Sequence, residues 1–233
     1  MSPRHILIIG GGASGVILAA HLLRGAPGLR LTVVERRDRL GRGLAYDTPH
    51  DAHLLNTRAG AMSAFADRPG HFLDWLAGRG ILADAQAFVP RHLYADYLEG
   101  LVAGDPRLRR ERQECIALAP AGAGLRARLA DGREILADAA VLATGHLLPG
   151  GADPFADAPQ TDPWHAPLPP PDARVLILGT GLSMVDRVMR LLDAGHRGEI
   201  GTAGQRRRWP APFATATSRP DSAPRRGVGA STF

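Results

Sequence analysis

The sequence predicts an α/β fold with a doubly wound, largely parallel sheet. An apolar run, a glycine turn and an amphipathic stretch follow one another at residues 5–24, and the same order recurs about 170 residues later, at 174–194. Between these two units, short alternating segments at 112–136 indicate a small antiparallel β-meander. Strand–turn–helix units with short joins are typical of parallel sheets, because a crossover helix is needed to bring two parallel strands side by side.

Each predicted element follows from its local pattern. Short β-branched runs predict strands, residues at helical spacing predict helices, and the Asp131-Gly132 pair predicts a hairpin turn. Residues 41–66 are rich in glycine, proline and polar side chains, which predicts an ordered functional loop. The predicted elements are strand His5–Ile9, helix Ser14–Arg24, strand Leu29–Glu35, helices around His71–Gly78 and Pro90–Val102, strands Arg112–Leu118, Leu125–Ala130 and Arg133–Leu136, a buried strand in "AAVLATG" ending at Thr144-Gly145, strand Arg174–Leu178 and helix Leu182–Ala194.

Composition divides the chain into four parts. Six arginines and one aspartate lie in residues 201–233, whereas residues 1–200 hold 22 arginines and 22 acidic residues, so the net charge of +5 belongs to the tail. The tail also contains no Leu, Ile or Met, which predicts disorder, and the neutral body predicts no binding of nucleic acid. The predicted parts are a first domain at 1–148, a proline-rich linker at 149–172, the start of a second nucleotide-binding unit at 173–200 and a disordered basic tail at 201–233.

Several classes of protein are disfavoured by what the sequence lacks. There is no run of 18 or more apolar residues, so no membrane span is predicted. A single cysteine, Cys115, cannot form an internal disulfide framework, and the nine histidines show no metal-ligand spacing. We therefore expect a cytoplasmic protein without a metal site and without a membrane partner. No general acid or base can be named, and the oligomeric state is left open.

The first glycine turn carries the strongest chemical signal. Gly10, Gly12 and Gly15 form a G-x-G-x-x-G pattern between a predicted strand and helix, and Glu35 follows Gly15 by 20 residues at the end of the next strand. This is the pattern of a dinucleotide site, in which the glycines admit a pyrophosphate and the acid accepts hydrogen bonds from a ribose. Free amides at the start of the helix, at Ala13 and Ser14, would bind the phosphates. The alternative is a tight turn with an incidental surface glutamate.

These motifs together resemble the two-dinucleotide-binding flavoproteins. Over about residues 4–200 the chain is similar to a family of bacterial FAD/NAD(P)-binding oxidoreductases, which are related in architecture to flavin-containing and N-hydroxylating monooxygenases. The resemblance implies a Rossmann-like fold that binds FAD at the first turn, and a chain that ends short of its relatives' C-terminal segments. It implies that "GRGLAYDTPHDAHLLNTRAGAMS" passes along the flavin and that "LATG" approaches the FAD again. The implied cofactor contacts are Arg36, Gly43, Asn56, Met62, Thr144 and Gly145, with Arg91 and Tyr94 as weaker candidates.

For two of these residues the alternatives stay open. Met62 suits core packing as well as a flavin contact, and Arg91 suits a solvated helix start as well as a contact.

The second glycine turn is less complete in sequence. Gly179 and Gly181 match the first two positions, where the resemblance implies a nicotinamide cofactor, but Met184 replaces the third glycine. The strand that should follow begins at "GEI", after which the apolar pattern stops. We therefore expect a half-site that lacks its second strand and the residue that would select NAD or NADP.

The function predicted from these observations is a flavin-dependent oxidoreductase that is reduced by NAD(P)H and acts on a small molecule or on oxygen. A monooxygenase is one such outcome. The first alternative is a truncated chain that binds FAD or a related nucleotide without turnover. The second is a nicotinamide dehydrogenase without flavin, which "LATG" and the repeated glycine turn disfavour.

Overall fold

The computed structural model describes residues 4–145 and 167–204. These residues fall into two compact units, one within Met1–Ala166 and the other within Pro167–Phe233. The predicted linker at 149–172 lies largely outside the described residues, as does the tail from residue 205 onward. The domain boundaries therefore remain predictions.

The first unit contains seven strands and four helices among its described residues. In chain order they are β1 (Arg4–Ile9), α1 (Ala13–Gly25), β2 (Leu29–Val34), α2 (Gly43–Tyr46), a 3-10 turn (Ala59–Ala61), α3 (His71–Ala77), α4 (Arg91–Gly100), β3 (Leu108–Glu111), β4 (Cys115–Ala121), β5 (Gly124–Leu129), β6 (Glu134–Ala137) and β7 (Ala139–Leu142).

A four-stranded parallel sheet forms the centre of this unit, in the order β3-β2-β1-β7. Strand β1 pairs with β2 from Arg4 opposite Leu29 to Ile9 opposite Val34, and α1 makes the crossover between them. The inner strands become buried toward their carboxyl ends, at residues 7–9 of β1 and 31–34 of β2, because both faces of the sheet are covered there. The α/β fold with a parallel sheet that the sequence predicts is confirmed.

The two faces of the sheet are covered by different layers. Ile8, Leu31 and Val33 face α1, α3 and α4 in the larger hydrophobic core, whereas Leu7 and Val34 face the antiparallel meander β4-β5-β6. Alternate residues of one strand point to opposite faces, so each strand contributes to both cores. The turn that follows β1 lies at the carboxyl ends of β1 and β2, where Gly10 donates its N–H to the Val34 carbonyl.

The structure corrects the predicted strand Arg112–Leu118. Strand β3 ends at Glu111 and joins the parallel sheet, whereas β4 begins at Cys115 and belongs to the meander. The sequence of β3, "LRRE", has one apolar residue and so no strand periodicity. It forms at the sheet edge because Glu111 is buried and pairs with Arg109 and Arg133.

The second unit repeats the strand–helix–strand order. Strand β8 (Val175–Leu178) leads into α5 (Leu182–Asp193), and β9 (Ile200–Ala203) returns parallel to β8. The expectation that the second strand is missing is therefore wrong. Its sequence, "IGTA", offers little apolar signal, but its backbone pairs with β8 from Val175 opposite Ile200 to Leu178 opposite Ala203.

Within the described residues, none of the helices has the length and apolar character needed to cross a membrane. The predicted cytoplasmic location remains a prediction.

Tyr97 of α4 holds the loop that precedes α3. Its ring is fully buried, and its hydroxyl oxygen accepts a hydrogen bond from the Ala64 amide at 3.0 Å. The same hydroxyl lies 2.8 Å from Nδ1 of His71. Since the amide donates to the oxygen, the phenol proton is available for Nδ1, which accepts it when the imidazole is neutral. Burial, followed by the nearby Arg68 charge, lowers the pKa of His71 below its ordinary value of 6.5.

This lowered pKa predicts a loss of stability in acid. Below about pH 6.5 the unfolded chain binds a proton at His71 that the folded chain does not bind, so the free energy of unfolding falls as the pH falls through that range. His71→Asn keeps an acceptor for Tyr97 but cannot titrate. We expect urea unfolding at pH 7.5 and 5.5 to show a steeper loss for the parent than for His71→Asn. Equal losses would contradict the assignment.

Candidate functional site

The turn after β1 is set by two backbone contacts. Gly10 has a φ of +106° and donates its N–H to the Val34 carbonyl at 2.9 Å. A Cβ at Gly10 would lie 2.2 Å from the carbonyl oxygen of Ala143, and a Cβ at Gly15 would lie 2.0 Å from the carbonyl oxygen of Gly10. Both glycines are therefore required by packing of the turn itself, before any ligand is considered.

Gly12 has a different reason to be glycine. Its φ of −70° suits any residue, and a Cβ there would meet only the Gly43 backbone, at 3.5 Å. Gly12 is the N-cap of α1, and no side chain caps this helix. The first-turn amides, including those of Ala13 and Ser14, have no acceptor within the helix. A Cβ would thus occupy part of the gap between the turn and Gly43, at the N-terminus of α1, where a pyrophosphate would bind. The turn fits a dinucleotide on this observation.

Glu35 stands directly after β2 and is 8% exposed. One carboxylate oxygen accepts the N–H of Gly11 at 2.9 Å, and the other accepts the N–H of Arg37 at 2.9 Å. An ionised carboxylate offers about four acceptor positions, so two remain for ribose hydroxyls. The two amides fix the carboxylate beside the turn, and Glu35 is no incidental surface residue.

The structure brings two further predicted segments to the turn. A Cβ at Gly43 would lie 3.4 Å from Cα of Gly12, so the backbone of α2 begins opposite the turn. Thr144 and Gly145 follow β7, and the preceding residue, Ala143, donates its N–H to Ile9 at 2.8 Å. The close approach of Ala143 to Gly10 places the residues that follow β7 beside the turn.

Arg36 and Asn56 are both exposed. Arg36 faces Glu114 at 3.8 Å, and the hydroxyl of Thr57 donates to the Asn56 side chain at 3.4 Å. Met62 is half-buried against the helical core, which is the alternative that the sequence left open. Cofactor contacts at these three residues remain predictions.

The two weaker candidates lie on α4. Arg91 donates from Nε to the Leu54 carbonyl at 2.8 Å, so it ties the start of the helix to the preceding loop. Tyr94 is buried, and its ring meets that of Tyr46 edge to face at 5.0 Å. Burial raises the pKa of Tyr94, which keeps the phenol neutral.

A cavity of about 580 Å³ opens beside the segment that follows Glu35. Its arginines have acidic partners, including Asp47 for Arg37 and Asp38 for Arg112, so it is not a free anion site. It is lined by Arg36, Arg37, Asp38, Arg39, Arg42, Asp47, Thr48, Pro49 and Arg112.

The glycine turn of the second unit closes in the same way as the first. Gly179 has a φ of +120° and donates its N–H to the Ala203 carbonyl at 2.7 Å, as Gly10 does to Val34. Donor and acceptor are 24 residues apart in both units. Gly204 therefore occupies the position that Glu35 occupies in the first unit.

Met184 changes the start of α5. In the first unit, Val16 donates to the Gly12 carbonyl at 3.0 Å, the normal helical bond. In the second, Met184 itself donates to Gly181 at 3.0 Å, and the bond from Val185 lengthens to 3.4 Å. The Gly181 carbonyl therefore accepts from both Met184 and Val185 at the start of α5.

Among the residues that the structure describes, no group of three or more His, Cys, Asp or Glu side chains is arranged to hold a metal ion.

Comparison with known families identifies the chain. The model of a family described as FAD-NAD(P)-binding matches residues 7–147, which include the first turn, Glu35 and the end of β7. The chain belongs to this FAD-NAD(P)-binding family. No curated protein matches the sequence.

Solved structures of similar fold include an N-hydroxylase, an S-oxygenase and a flavin monooxygenase. An ornithine N-hydroxylase from Kutzneria sp. 744, determined with FADred, NADP+ and L-orn, has a TM-score of 0.61 at 20% identity and covers 87% of this chain and 53% of its own. S-allyl-L-cysteine S-oxygenase from Allium sativum has a TM-score of 0.59 at 22% identity, covering 94% and 54%. A mutant flavin monooxygenase from Stenotrophomonas maltophilia has a TM-score of 0.59 at 22% identity, covering 88% and 58%.

Identities at this level establish the shared fold alone. The FAD-NAD(P)-binding chain spans just over half the length of these three proteins.

Two glycines of the site were not found from the sequence. A Cβ at Gly11 would lie 2.5 Å from Leu40 and 2.7 Å from Cβ of Glu35, and Gly41 donates its N–H to the Gly11 carbonyl at 2.8 Å. Gly11 is the unspecified position within the motif, so the pattern could not single it out. Gly41 stands in "LGRGL", and the repeated glycines there were its one available signal.

The different reasons for Gly12 and Gly15 predict different phenotypes. Gly12→Ser supplies a good N-cap with a Cβ at ordinary contact distance from Gly43, so the melting temperature of the FAD-free protein should be kept while FAD affinity falls. Gly15→Ala drives a methyl into the Gly10 carbonyl, so it should destabilise the FAD-free protein by about 1–3 kcal/mol. Thermal unfolding without FAD and flavin fluorescence titration measure the two effects. Unchanged FAD affinity in Gly12→Ser would remove the turn from the site.

Proposed function

We propose that FAD binds at the turn between β1 and α1. The pyrophosphate would lie against the amides of Ala13 and Ser14, in the space that Gly12 leaves open, and the ribose hydroxyls would donate to Glu35. The observation that carries this proposal is Gly12, because it is the turn glycine whose lack of a side chain no internal contact explains. The buried, amide-bound carboxylate of Glu35 supports the same orientation.

The chain itself binds and orients, and bound FAD supplies the electron-transfer chemistry. The helix α1 amides offer partial positive charge to the phosphates, at about 0.3–1 kcal/mol for each nearby anion. The Glu35 carboxylate is held by the amides of Gly11 and Arg37, so it would favour an unsubstituted ribose and disfavour a 2′-phosphate at this first site. Thr144 and Gly145 would meet the FAD where the chain returns to the turn after β7.

The second unit is proposed as the nicotinamide dinucleotide site. Its turn repeats the closure of the first, with Gly181 as the N-cap of α5. Gly204 replaces the ribose-binding acid, so nothing at that position repels a 2′-phosphate. On this basis the unit accepts NADPH as well as NADH.

Together these two proposed sites support a flavin-dependent oxidoreductase that is reduced by NAD(P)H. The structural relatives suggest that this oxidoreductase is a monooxygenase acting on a small molecule. The relatives are named as an N-hydroxylase, an S-oxygenase and a flavin monooxygenase. Two of these names include a small-molecule substrate, ornithine or S-allyl-L-cysteine. The proposed domains are 1–148 for FAD and 173–200 for the nicotinamide unit, which β9 extends to Ala203.

A second candidate function is FAD binding without turnover.

The visible spectrum of the purified protein separates these functions. We expect flavin absorption after reconstitution with FAD, and bleaching on anaerobic addition of NADPH or NADH if the chain turns over. Flavin bands that persist after either nicotinamide would support binding without turnover. A protein that takes up no flavin would overturn both.

The role of Gly204 predicts a change of nucleotide preference. Gly204→Glu places a carboxylate where Glu35 stands in the first unit, and its Cβ would lie 3.3 Å from the Thr180 side chain, which can shift. We expect about tenfold weaker binding of 2′,5′-ADP with little change for 5′-ADP, because only the former carries a 2′-phosphate. Gly204→Gln, of equal size but uncharged, is the control. Equal weakening by Glu and Gln would contradict a charge effect.

A further inference from the structure

The segment 39–43 lies between the glycine turn and helix α4. Gly41 donates its N–H to the Gly11 carbonyl at 2.8 Å and has a φ of +81°. On its other side, a Cβ at Gly41 would lie 2.8 Å from Cβ of Leu98 and 3.0 Å from the Ala95 carbonyl oxygen. The segment therefore has no room to move toward α4, and its contact with the helix is backbone against helix surface.

Two arginines of this segment are bound by acids on α4, in different environments. Arg42 donates from Nη2 to Asp96 at 2.7 Å, and its side chain is 12% exposed. Arg39 donates to the same Asp96 oxygen at 2.9 Å and also to Glu99, but its side chain is 49% exposed. A shielded pair holds its geometry more strictly than an exposed one, because water and salt screen the exposed pair.

Arg42 has little else to hold it. Its Nε is buried and has no hydrogen-bond partner among the described residues, so the bond to Asp96 is the one that compensates for taking the guanidinium out of water. Loss of the Asp96 charge would leave a buried, uncompensated cation, and the side chain would have to leave its position. The backbone of residue 42 would then lose this tie to α4, while keeping the bonds from Gly41 to Gly11 and from Tyr46 to Arg42.

The backbone that follows residue 42 lies directly opposite the glycine turn after β1. Gly43 follows Arg42, has a φ of +52°, and faces Gly12 with 3.4 Å between its Cβ position and Cα of Gly12. The position of Gly43 relative to Gly12 therefore depends on the bond from Gly41 to the Gly11 carbonyl and, on the side of α4, on Arg42.

We propose that Asp96 is a positioning residue for FAD, which acts by holding Arg42 and so fixing Gly43 against Gly12. The inference rests on the proposed binding of FAD at this turn. Asp96 acts through Arg42 rather than on the pyrophosphate. It holds Gly43 in position before FAD binds, so that binding need not order this segment. The coupling is reciprocal, so bound FAD should in turn stabilise α4.

A double-mutant cycle on the full chain tests the pair. Asp96→Asn and Arg42→Gln should each weaken FAD binding about tenfold in flavin fluorescence titrations. The double variant should be no more than about threefold weaker than either single variant, since the two residues act as one unit. Asp96→Glu, which keeps the charge, should recover most of the affinity. The matched control is the neighbouring exposed pair: Arg39→Gln and Glu99→Gln should change FAD affinity less than about twofold.

Hydrogen exchange supplies a readout that a purely structural role would not move. FAD should slow exchange of the α4 amides, at residues 91–100, in the parent and in Glu99→Gln, but much less in Asp96→Asn. Melting of the FAD-free proteins shows whether each variant is folded. If Asp96→Asn does not fold, the protection of α4 in the parent and the affinity of Asp96→Glu decide the matter.

Three results would overturn the inference: FAD affinity of Asp96→Asn equal to the parent, weakening by the control pair as large as that by Asp96 and Arg42, or no protection of α4 by FAD. Gly12→Ser distinguishes these from failure of the proposed function. If Gly12→Ser loses FAD while Asp96→Asn binds it like the parent, only the positioning role fails. If Gly12→Ser binds FAD like the parent, the turn is not the site and both proposals fail.

Discussion

The carbonyl oxygen of Gly10 occupies the place that a side chain at residue 15 would need, and the arrangement of the first unit depends on this contact. It sets how closely α1 approaches the sheet, with a Cβ position 2.0 Å from that oxygen. The same residue binds β2 through its N–H and touches the strand end at Ala143. One backbone turn thus fixes a helix and two neighbouring strands, and the amides at the start of α1 are oriented as a consequence.

The second unit shows what happens when this constraint is relaxed. It keeps the closure between turn and strand at Gly179 and Ala203, but Met184 takes the place of the third glycine. At the start of α5 the Gly181 carbonyl accepts from both Met184 and Val185, whereas the Gly12 carbonyl at the start of α1 accepts from Val16 at 3.0 Å. Closure of the strand is therefore kept without the third glycine, although one glycine motif usually provides both closure and close packing of the helix. The proposed phosphate binding depends on this closure and on the amides that precede Met184.

Much of the first site could be predicted from the sequence because its determinants are local. A glycine pattern between strand and helix and an acid at the end of the next strand follow from chain geometry, which is how Glu35 was found. Gly11 and Gly41 were missed because their need for glycine comes from residues distant in sequence. Strands β3 and β9 were misjudged for another reason: each has four residues and at most two apolar ones, and pairs along its backbone with an apolar neighbour. Pairing of this kind leaves no periodicity to recognise.

The equal span from donor glycine to acceptor carbonyl, 24 residues in both units, has a consequence for how such chains can be recombined. Segments 10–34 and 179–203 are cassettes of the same length, each beginning at a strand end and finishing at the neighbouring strand end in the same parallel register. Exchange of one cassette for the other would conserve the spacing of the sheet. It would change the helix start at which phosphates are proposed to bind, while leaving the residue proposed to face the ribose, at position 35 or 204, in its original unit. The two proposed roles, phosphate binding and ribose selection, therefore lie on separable segments, and recombination can alter one without the other.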